Sequence, residues 1–248
     1  FLRGADFGWF MSLFPQWLFV GVVLLLLYFL VDTFYYKKEH PTALEQDAKE
    51  HVALRVQGKT NLFYLAGVIL AVAVVHSGNI PAMADAHAHL WIKYLRELIL
   101  LLLTAMSLYT TKRQVRYRLN KYSWTPIMEV AILFFGIFIT MTPALSYLNH
   151  HSDLLGLTHP WQFYYATGAL SSFLDNTPTA VAFHSVAAGL SPEHMEAVGG
   201  TLVAGIPEIL LKAICLGAVF FGSMTYIGNG PNFMVKAIAE ENGVKMPS

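Results

Sequence analysis

The chain has 248 residues, of which 55% are hydrophobic and only 13% are charged. Soluble domains carry roughly 25% charged residues, so this composition indicates a membrane protein that crosses the bilayer several times. Its 16 basic and 16 acidic residues balance, which argues against nucleic acid as a partner, and its single cysteine excludes an internal disulfide and a multi-cysteine metal site.

Four apolar runs predict helices that span the membrane, at residues 17–31, 61–76, 90–109 and 127–142. Thr125 and Pro126 are typical of the start of the fourth helix. Residues 37–59, 111–121, 145–160 and 191–196 are predicted to be loops. The pattern predicts an all-α membrane protein with two parts, residues 1–124 with the first three helices and residues 125–248 with the fourth helix and the polar interruptions described below.

Lysine and arginine are segregated along the chain. They concentrate at 37–59 and 111–121, whereas residues 77–89, 146–160 and 191–196 contain none. The positive-inside rule therefore predicts that both basic loops are cytoplasmic and that residues 145–160 are external. We expect a multi-pass membrane protein.

A polar stretch interrupts the apolar sequence in the second half of the chain. The runs 161–174 and 179–190 flank Asp175, Asn176, Thr177 and Pro178, and each run is shorter than the roughly 20 residues that a spanning helix needs. We therefore predict a re-entrant hairpin over 161–190 that turns at residues 175–179. An ionisable residue at such a depth indicates a functional site.

A second interruption follows the apolar run 206–221. Residues 222–232 are rich in glycine, and they predict a helix over 206–240 that is broken within the membrane. Ser223, Thr225, Asn229 and Asn232 offer oxygen atoms suited to a hard cation such as sodium, and Gly228 allows a close approach of the backbone.

Several residues also admit a plainer interpretation. Asp175 could cap the helix that follows it, Glu129 suits the dipole at a helix start, and Glu208 with Lys212 favours a neutralised structural pair over a proton relay. Histidines in the predicted external loops are better explained as solvated side chains than as metal ligands; they are His87, His89, His150, His151 and His159. A membrane enzyme would need Ser171 or Ser172 to act with His184, and we do not expect an enzyme.

Three stretches together resemble the ion transporter superfamily. They are residues 126–134 with Pro126 and Glu129, the sequence from Asp175 to Thr179, and residues 226–234. The chain looks most like the C-terminal half of a D-type sodium/proton antiporter-like or citrate transporter-like protein. The resemblance implies an inverted-repeat transporter, often a homodimer, in which a hairpin tip and a broken helix from each repeat build one site. This chain has one of each, so an N-terminal half of the same protein would be missing.

The expected function is secondary active sodium/proton antiport across the lipid bilayer, without a cofactor. Asp175 would hold either a proton or a sodium ion, with Glu208 and Lys212 as further coupling candidates. The expected sodium ligands are Asp175, Asn176, Thr225 and Asn229, and the wider ion or substrate site adds Thr177, Thr179, Ser223, Gly228 and Asn232. The alternatives are transport of citrate, a dicarboxylate or another anion, and a structural subunit of a larger membrane complex.

Overall fold

The computed structural model describes residues 4–39, 58–83, 85, 87–119, 122–241 and 243–246. The chain divides into two compact units, one of residues 6–120 and the other of residues 121–248 with residues 1–5. Helices dominate both units, in agreement with the expected class, and one short two-stranded sheet lies in the second unit. Most of the predicted loop 37–59 lies outside the described residues.

The unit of residues 6–120 is built from helices. They are α1 (Phe7–Met11), α2 (Phe14–Tyr36), α3 (Thr60–Val74), a 3-10 helix (Pro81–Met83), α4 (Leu90–Lys93), α5 (Leu95–Thr110) and a π-helix (Gln114–Leu119). Helices α3 and α5 pack together, and Asn61 Oδ1 accepts hydrogen bonds from the hydroxyls of Ser107 (2.9 Å) and Thr111 (3.0 Å). The polar contacts fix how these two apolar helices are aligned.

Two predictions for this unit were wrong. The helix predicted over 90–109 is interrupted at Tyr94 (φ −103°, ψ 21°), which separates α4 from α5; the continuous apolar stretch begins only after Glu97. The basic segment 111–121 contains a π-helix where a loop was predicted.

The unit containing residues 121–248 has six α-helices in its described part. They are α6 (Thr125–His150), α7 (Pro160–Ser171), α8 (Asn176–Ala188), α9 (Pro192–Val198), α10 (Glu208–Gly222) and α11 (Gly230–Glu241). A 3-10 helix (Ser152–Leu155) follows α6, and strands β1 (Leu202–Val203) and β2 (Ile206–Pro207) pair antiparallel before α10.

Three boundaries in this unit differ from the predictions. Helix α6 runs eight residues beyond residue 142 and continues through Pro143, although an interior proline removes one hydrogen bond of the helix and crowds the preceding turn. Residues 191–196 lie largely in α9, so the loop prediction there was wrong. Residues 206 and 207 belong to β2, whose hairpin turn places Ala204 (φ 54°) and Gly205 (φ 83°) in the left-handed region.

The core of the second unit lies where α10 packs against α7 and α8. Phe163, Ile206, Leu210 and Ile214 are fully buried there. Gly217 brings the backbones of α7 and α10 into contact, since a Cβ atom at this position would lie 2.4 Å from the carbonyl oxygen of Tyr164. Small residues that permit such an approach are typical of helix packing in membranes.

Two helices in the described part are long and apolar enough to cross a membrane, Phe14–Tyr36 and Ile127–His150. None of the residues of α2 is buried, and the apolar side chains of both helices are exposed along their lengths. Such continuous apolar surfaces suit the hydrocarbon of a bilayer and would be costly in water.

Candidate functional site

The polar stretch of the second half forms the tip of a helical hairpin. Helix α7 ends at Ser171 and α8 begins at Asn176, so residues 172–175 form the hairpin tip. The turn was predicted at 175–179, which was wrong, because Thr177 to Thr179 lie in the first turn of α8. Pro178 is tolerated there since the first four N–H groups of a helix have no partner within it.

Asp175 binds the N-termini of two helices. Its Oδ1 accepts a hydrogen bond from the N–H of Thr177 in α8 (3.1 Å). Its Oδ2 accepts one from the N–H of Gly230, the first residue of α11 (2.8 Å). Asp175 therefore caps α8, as the plainer interpretation allowed, and its role in binding an ion stays a prediction. The second bond was not foreseen, and it joins two segments that are 55 residues apart.

Residues 223–229, here called the linker, lie directly on the hairpin tip. Thr225 Oγ1 donates to the carbonyl oxygen of Ser172 and accepts a hydrogen bond from the N–H of Gly228 (3.0 Å). A Cβ atom on Gly228 would lie 2.7 Å from the carbonyl oxygen of Ser171 and 2.9 Å from that of Ser172. The glycine is therefore required by the close approach of the linker to the tip.

Asn176 ties the hairpin to α10 and to the linker. Its side-chain amide is surrounded by hydrogen-bond acceptors, so the amide nitrogen is assigned to that side. It then donates to the carbonyl oxygens of Ala218 (2.9 Å) and Gly228 (2.9 Å). Ser171 Oγ, which also donates to Ala218 O (2.7 Å), completes this junction. Hydrogen bonds between the hairpin, the linker and the neighbouring helices thus bring together four of the predicted site residues, Asp175, Asn176, Thr225 and Gly228.

The other predicted site residues have separate surroundings. Thr179 is buried and donates to the carbonyl of Asp175 (2.9 Å), while Ser223 donates to the carbonyl of Phe220 (2.7 Å). Asn232 N–H donates to the carbonyl of Asn229 (3.0 Å), and within the described residues neither amide side chain makes a hydrogen bond.

Glu208 and Lys212 form the predicted pair along α10. Lys212 Nζ lies 2.8 Å from Glu208 Oε1, and Thr201 Oγ1 donates to Glu208 Oε2 (2.9 Å). Neither residue lines the two cavities described below. The structure therefore brings them together with each other but not with the hairpin tip.

The side chains considered for an enzyme or for a histidine metal site have other neighbours in the described residues. Ser171 and Ser172 donate to backbone carbonyls of Ala218 and Ala169, and neither hydroxyl bonds to His184. No group of three or more potential metal ligands occurs among the residues that the structure describes. His151, for example, stacks on Tyr147 with the ring centroids 4.3 Å apart.

A cavity of about 540 Å³ lies between α6, the hairpin tip, the linker and α11. Its wall is mostly apolar and carries two carboxylates, Glu129 and Asp175. The remaining lining residues are Val130, Leu133, Phe134, Ile137, Phe173, Leu174, Tyr226, Ile227 and Gly230. No lysine or arginine is among them.

A second cavity of about 280 Å³ lies between α8 and α10. Asn176 and Thr177 line it, together with His184 and Cys215 among mainly apolar neighbours. Consecutive residues of the hairpin, Asp175 and Asn176, therefore face separate cavities. The hairpin tip therefore borders both spaces.

The sequence did not reveal the positions of two residues, Glu129 on the wall of the larger cavity and Lys236 in contact with one of its lining residues. Glu129 was assigned to the dipole of a helix start, whereas it lines the cavity with Asp175. Lys236 of α11 was overlooked: its ammonium lies 3.9 Å from the ring centroid of Tyr226, another cavity residue. The spacing of Lys236 and Glu240 is typical of an exposed helical pair and does not indicate a contact with an aromatic ring.

Comparison with known proteins gives the family. A search of curated proteins and a search of solved structures each found no significant match. The sequence model of one family, described as "Putative citrate transport", matches residues 1–248. The match supports a membrane transporter in general. Because it extends over the whole chain, the protein belongs to this citrate transport family.

Proposed function

We propose that the protein is a secondary active transporter of citrate or a related carboxylate, which crosses the membrane together with protons or cations. The observation that carries the proposal is the 540 Å³ cavity, in which Glu129 and Asp175 face an otherwise mostly apolar space. Membership of the citrate transport family supports the choice of a carboxylate.

Size and charge both fit this cargo. Binding pockets for small molecules span about 300–1,000 Å³, so the cavity can enclose a small carboxylic acid. Two carboxylates on its wall would repel a multiply charged anion as long as both stay ionised and unpaired. Citrate would therefore enter together with a proton or a cation that neutralises part of this charge.

Asp175 is the proposed coupling residue. Its two oxygens accept hydrogen bonds from Thr177 in α8 and from Gly230 in α11, so its charge is balanced by the ends of two helices. Protonation, or binding of a cation to the carboxylate, would weaken these bonds. The occupancy of Asp175 would then alter how firmly the hairpin tip holds α11.

Sodium/proton antiport is the second candidate function. The observation in its favour is that two acidic side chains and no basic one line the larger cavity, within the described residues. In this version Asp175 exchanges a proton for sodium, and Asn176, Thr225 and Asn229 complete the oxygen shell. The hydrogen bonds that Asn176 and Thr225 make in this structure would have to be exchanged for contacts with the ion.

We further propose a membrane arrangement for the second unit. Helices α7 and α8 have 12 and 13 residues, and at about 1.5 Å per residue neither can cross a hydrocarbon layer of about 30 Å. They would form a re-entrant hairpin, and α10, the linker and α11 would form a broken helix. A second copy of this pattern, in an inverted repeat outside this chain, would complete the site in a dimeric protein of the bacterial inner membrane.

Flux into proteoliposomes tests the proposal. The complete protein is expected to accumulate labelled citrate when a proton or sodium gradient is applied, and Asp175→Asn is expected to abolish the accumulation. Asp153→Asn, which changes an exposed carboxylate in the 3-10 helix after α6, is the matched control and should transport normally. Sodium/proton exchange without citrate uptake would instead establish the second candidate.

A further inference from the structure

We propose that Lys236 is a specificity-determining residue, whose positive charge behind Tyr226 lets the larger cavity accept an anionic cargo. The inference rests on the proposed carboxylate transport and adds the residue that makes it compatible with an acidic cavity. Tyr226 lines the cavity, and the ammonium of Lys236 lies 3.9 Å from the centroid of its ring.

The course of α11 directs Lys236 towards the site. Lys236 follows Gly230 by six residues, which corresponds to a rise of about 9 Å along the helix. Side chains of a helix tilt towards its N-terminus, and the contact with Tyr226, which precedes α11, shows that the Lys236 side chain extends that way. Its charge therefore lies nearer the N-terminal end of α11, the end at which Asp175 binds Gly230.

Lys236 is largely buried and only weakly neutralised. Its side chain is 17% exposed. Within the described residues its ion-pair contact is to Glu240 Oε1 at 4.0 Å, and the Glu240 side chain is 51% exposed. Lys212 differs, because it forms a 2.8 Å ion pair with Glu208 on α10. Lys236 thus keeps more of its positive field, and charges interact over longer distances in a poorly solvated interior than in water.

The two carboxylates at the cavity leave negative charge that the positive field of Lys236 can offset. Hydrogen bonds from Thr177 and Gly230 offset the carboxylate of Asp175. Glu129 lines the same space and adds a second negative charge. A multiply charged carboxylate therefore needs a compensating cation near the wall, and Lys236 supplies it through the ring of Tyr226. The same contact holds Tyr226 in place, so Lys236 acts as a positioning residue and need not touch the cargo.

The test uses uptake of labelled citrate by the complete protein in proteoliposomes. Lys236→Gln is expected to raise the KM for citrate about ten-fold, with the maximal rate changed less than about two-fold. Lys236→Arg should restore the KM, because a guanidinium keeps the charge and also binds to aromatic faces. Lys245→Gln removes the same charge from an exposed position beyond α11 and should match the parental protein.

Competition separates a charge effect from a structural one. Unlabelled citrate, with three carboxylates, and malate, with two, are compared as inhibitors of labelled citrate uptake. Lys236→Gln should weaken inhibition by citrate more than inhibition by malate. Equal weakening of both, an unchanged KM, or a lower maximal rate without a change in KM overturns the inference while leaving carboxylate transport standing.

Uptake by the parental protein distinguishes failure of the proposed function from failure of the role inferred for Lys236. Absence of citrate uptake by the parental protein would refute the proposed function and this inference together. Parental uptake combined with failure of Lys236→Arg to rescue Lys236→Gln would refute this inference alone. Size-exclusion profiles of both variants in detergent establish that each protein is folded before its KM is compared.

Discussion

The contact between α7 and α10 at Gly217 predicts a large effect from adding one methyl group. In Gly217→Ala the new Cβ would lie 2.4 Å from the Tyr164 carbonyl oxygen, whereas ordinary contacts begin at 3.4 Å. The two backbones must therefore separate by about 1 Å, and overpacking of this kind costs about 1–3 kcal/mol. Alanine favours helix over glycine by up to about 1 kcal/mol, which offsets only part of that cost.

A matched glycine isolates the packing effect. Gly136 lies within the apolar helix α6, and a Cβ there would meet no atom within 4 Å. Gly136→Ala should therefore show the helix preference alone. We expect Gly217→Ala to be less stable than Gly136→Ala by about 1–3 kcal/mol. In thermal unfolding of the detergent-solubilised protein, this difference corresponds to a melting temperature lower by about 2–12 °C.

The same pair of variants can refute the reasoning. If Gly217→Ala melts at the temperature of Gly136→Ala or above it, the backbones of α7 and α10 are not in contact as described. Citrate uptake should fall for Gly217→Ala as well, because α7 and α10 both hold the hairpin tip.

Three further predictions concern the junction, the ion pair and the topology. Thr225→Val removes the hydroxyl that joins Ser172 to Gly228, so the free energy of unfolding should fall by about 1–3 kcal/mol, whereas Ser223→Ala should change it little. A double-mutant cycle on Glu208 and Lys212 should give a coupling below about 1 kcal/mol, since both side chains are about one-third exposed. A loss of proton coupling on neutralising either residue would instead identify a relay. Single cysteines at 112–118, in a cysteine-free background, should resist an impermeant reagent applied from outside, and cysteines at 151–158 should react; the reverse pattern would contradict the orientation.

Much of the helical layout follows from the order of apolar and polar residues. The run at 17–31 lies within α2, and the interrupted pattern around residues 175 and 225 marked the segments that meet in the second unit. A long apolar run must be buried or face lipid, so helices of this kind can be predicted from the length of the run.

Details that depend on tertiary contacts could not be predicted in this way. The bond from Gly230 to Asp175 joins segments 55 residues apart, and nothing in the local sequence specifies it. Local signals can also mislead. Pro143 lies inside α6 although proline is typical of a helix end, and the helix predicted over 90–109 breaks at Tyr94 although its sequence is mostly apolar. The contact of Lys236 could not be predicted, because its partner is an aromatic ring of the linker and not an acidic residue at helical spacing.

Helix α2 differs from α10 in what its sequence must preserve. No residue of α2 is buried, and even the hydroxyl of Thr33 is satisfied within the helix by the carbonyl of Phe29 (2.6 Å). Exchange of one aliphatic residue for another therefore leaves its packing unchanged, and only the summed hydrophobicity is constrained. In a saturation mutagenesis experiment α2 should accept most apolar replacements at every position, whereas α10 should reject enlargement at Gly217. Substitutions would therefore accumulate in α2 during evolution, whereas the sequence of α10, beside the hairpin, would change little.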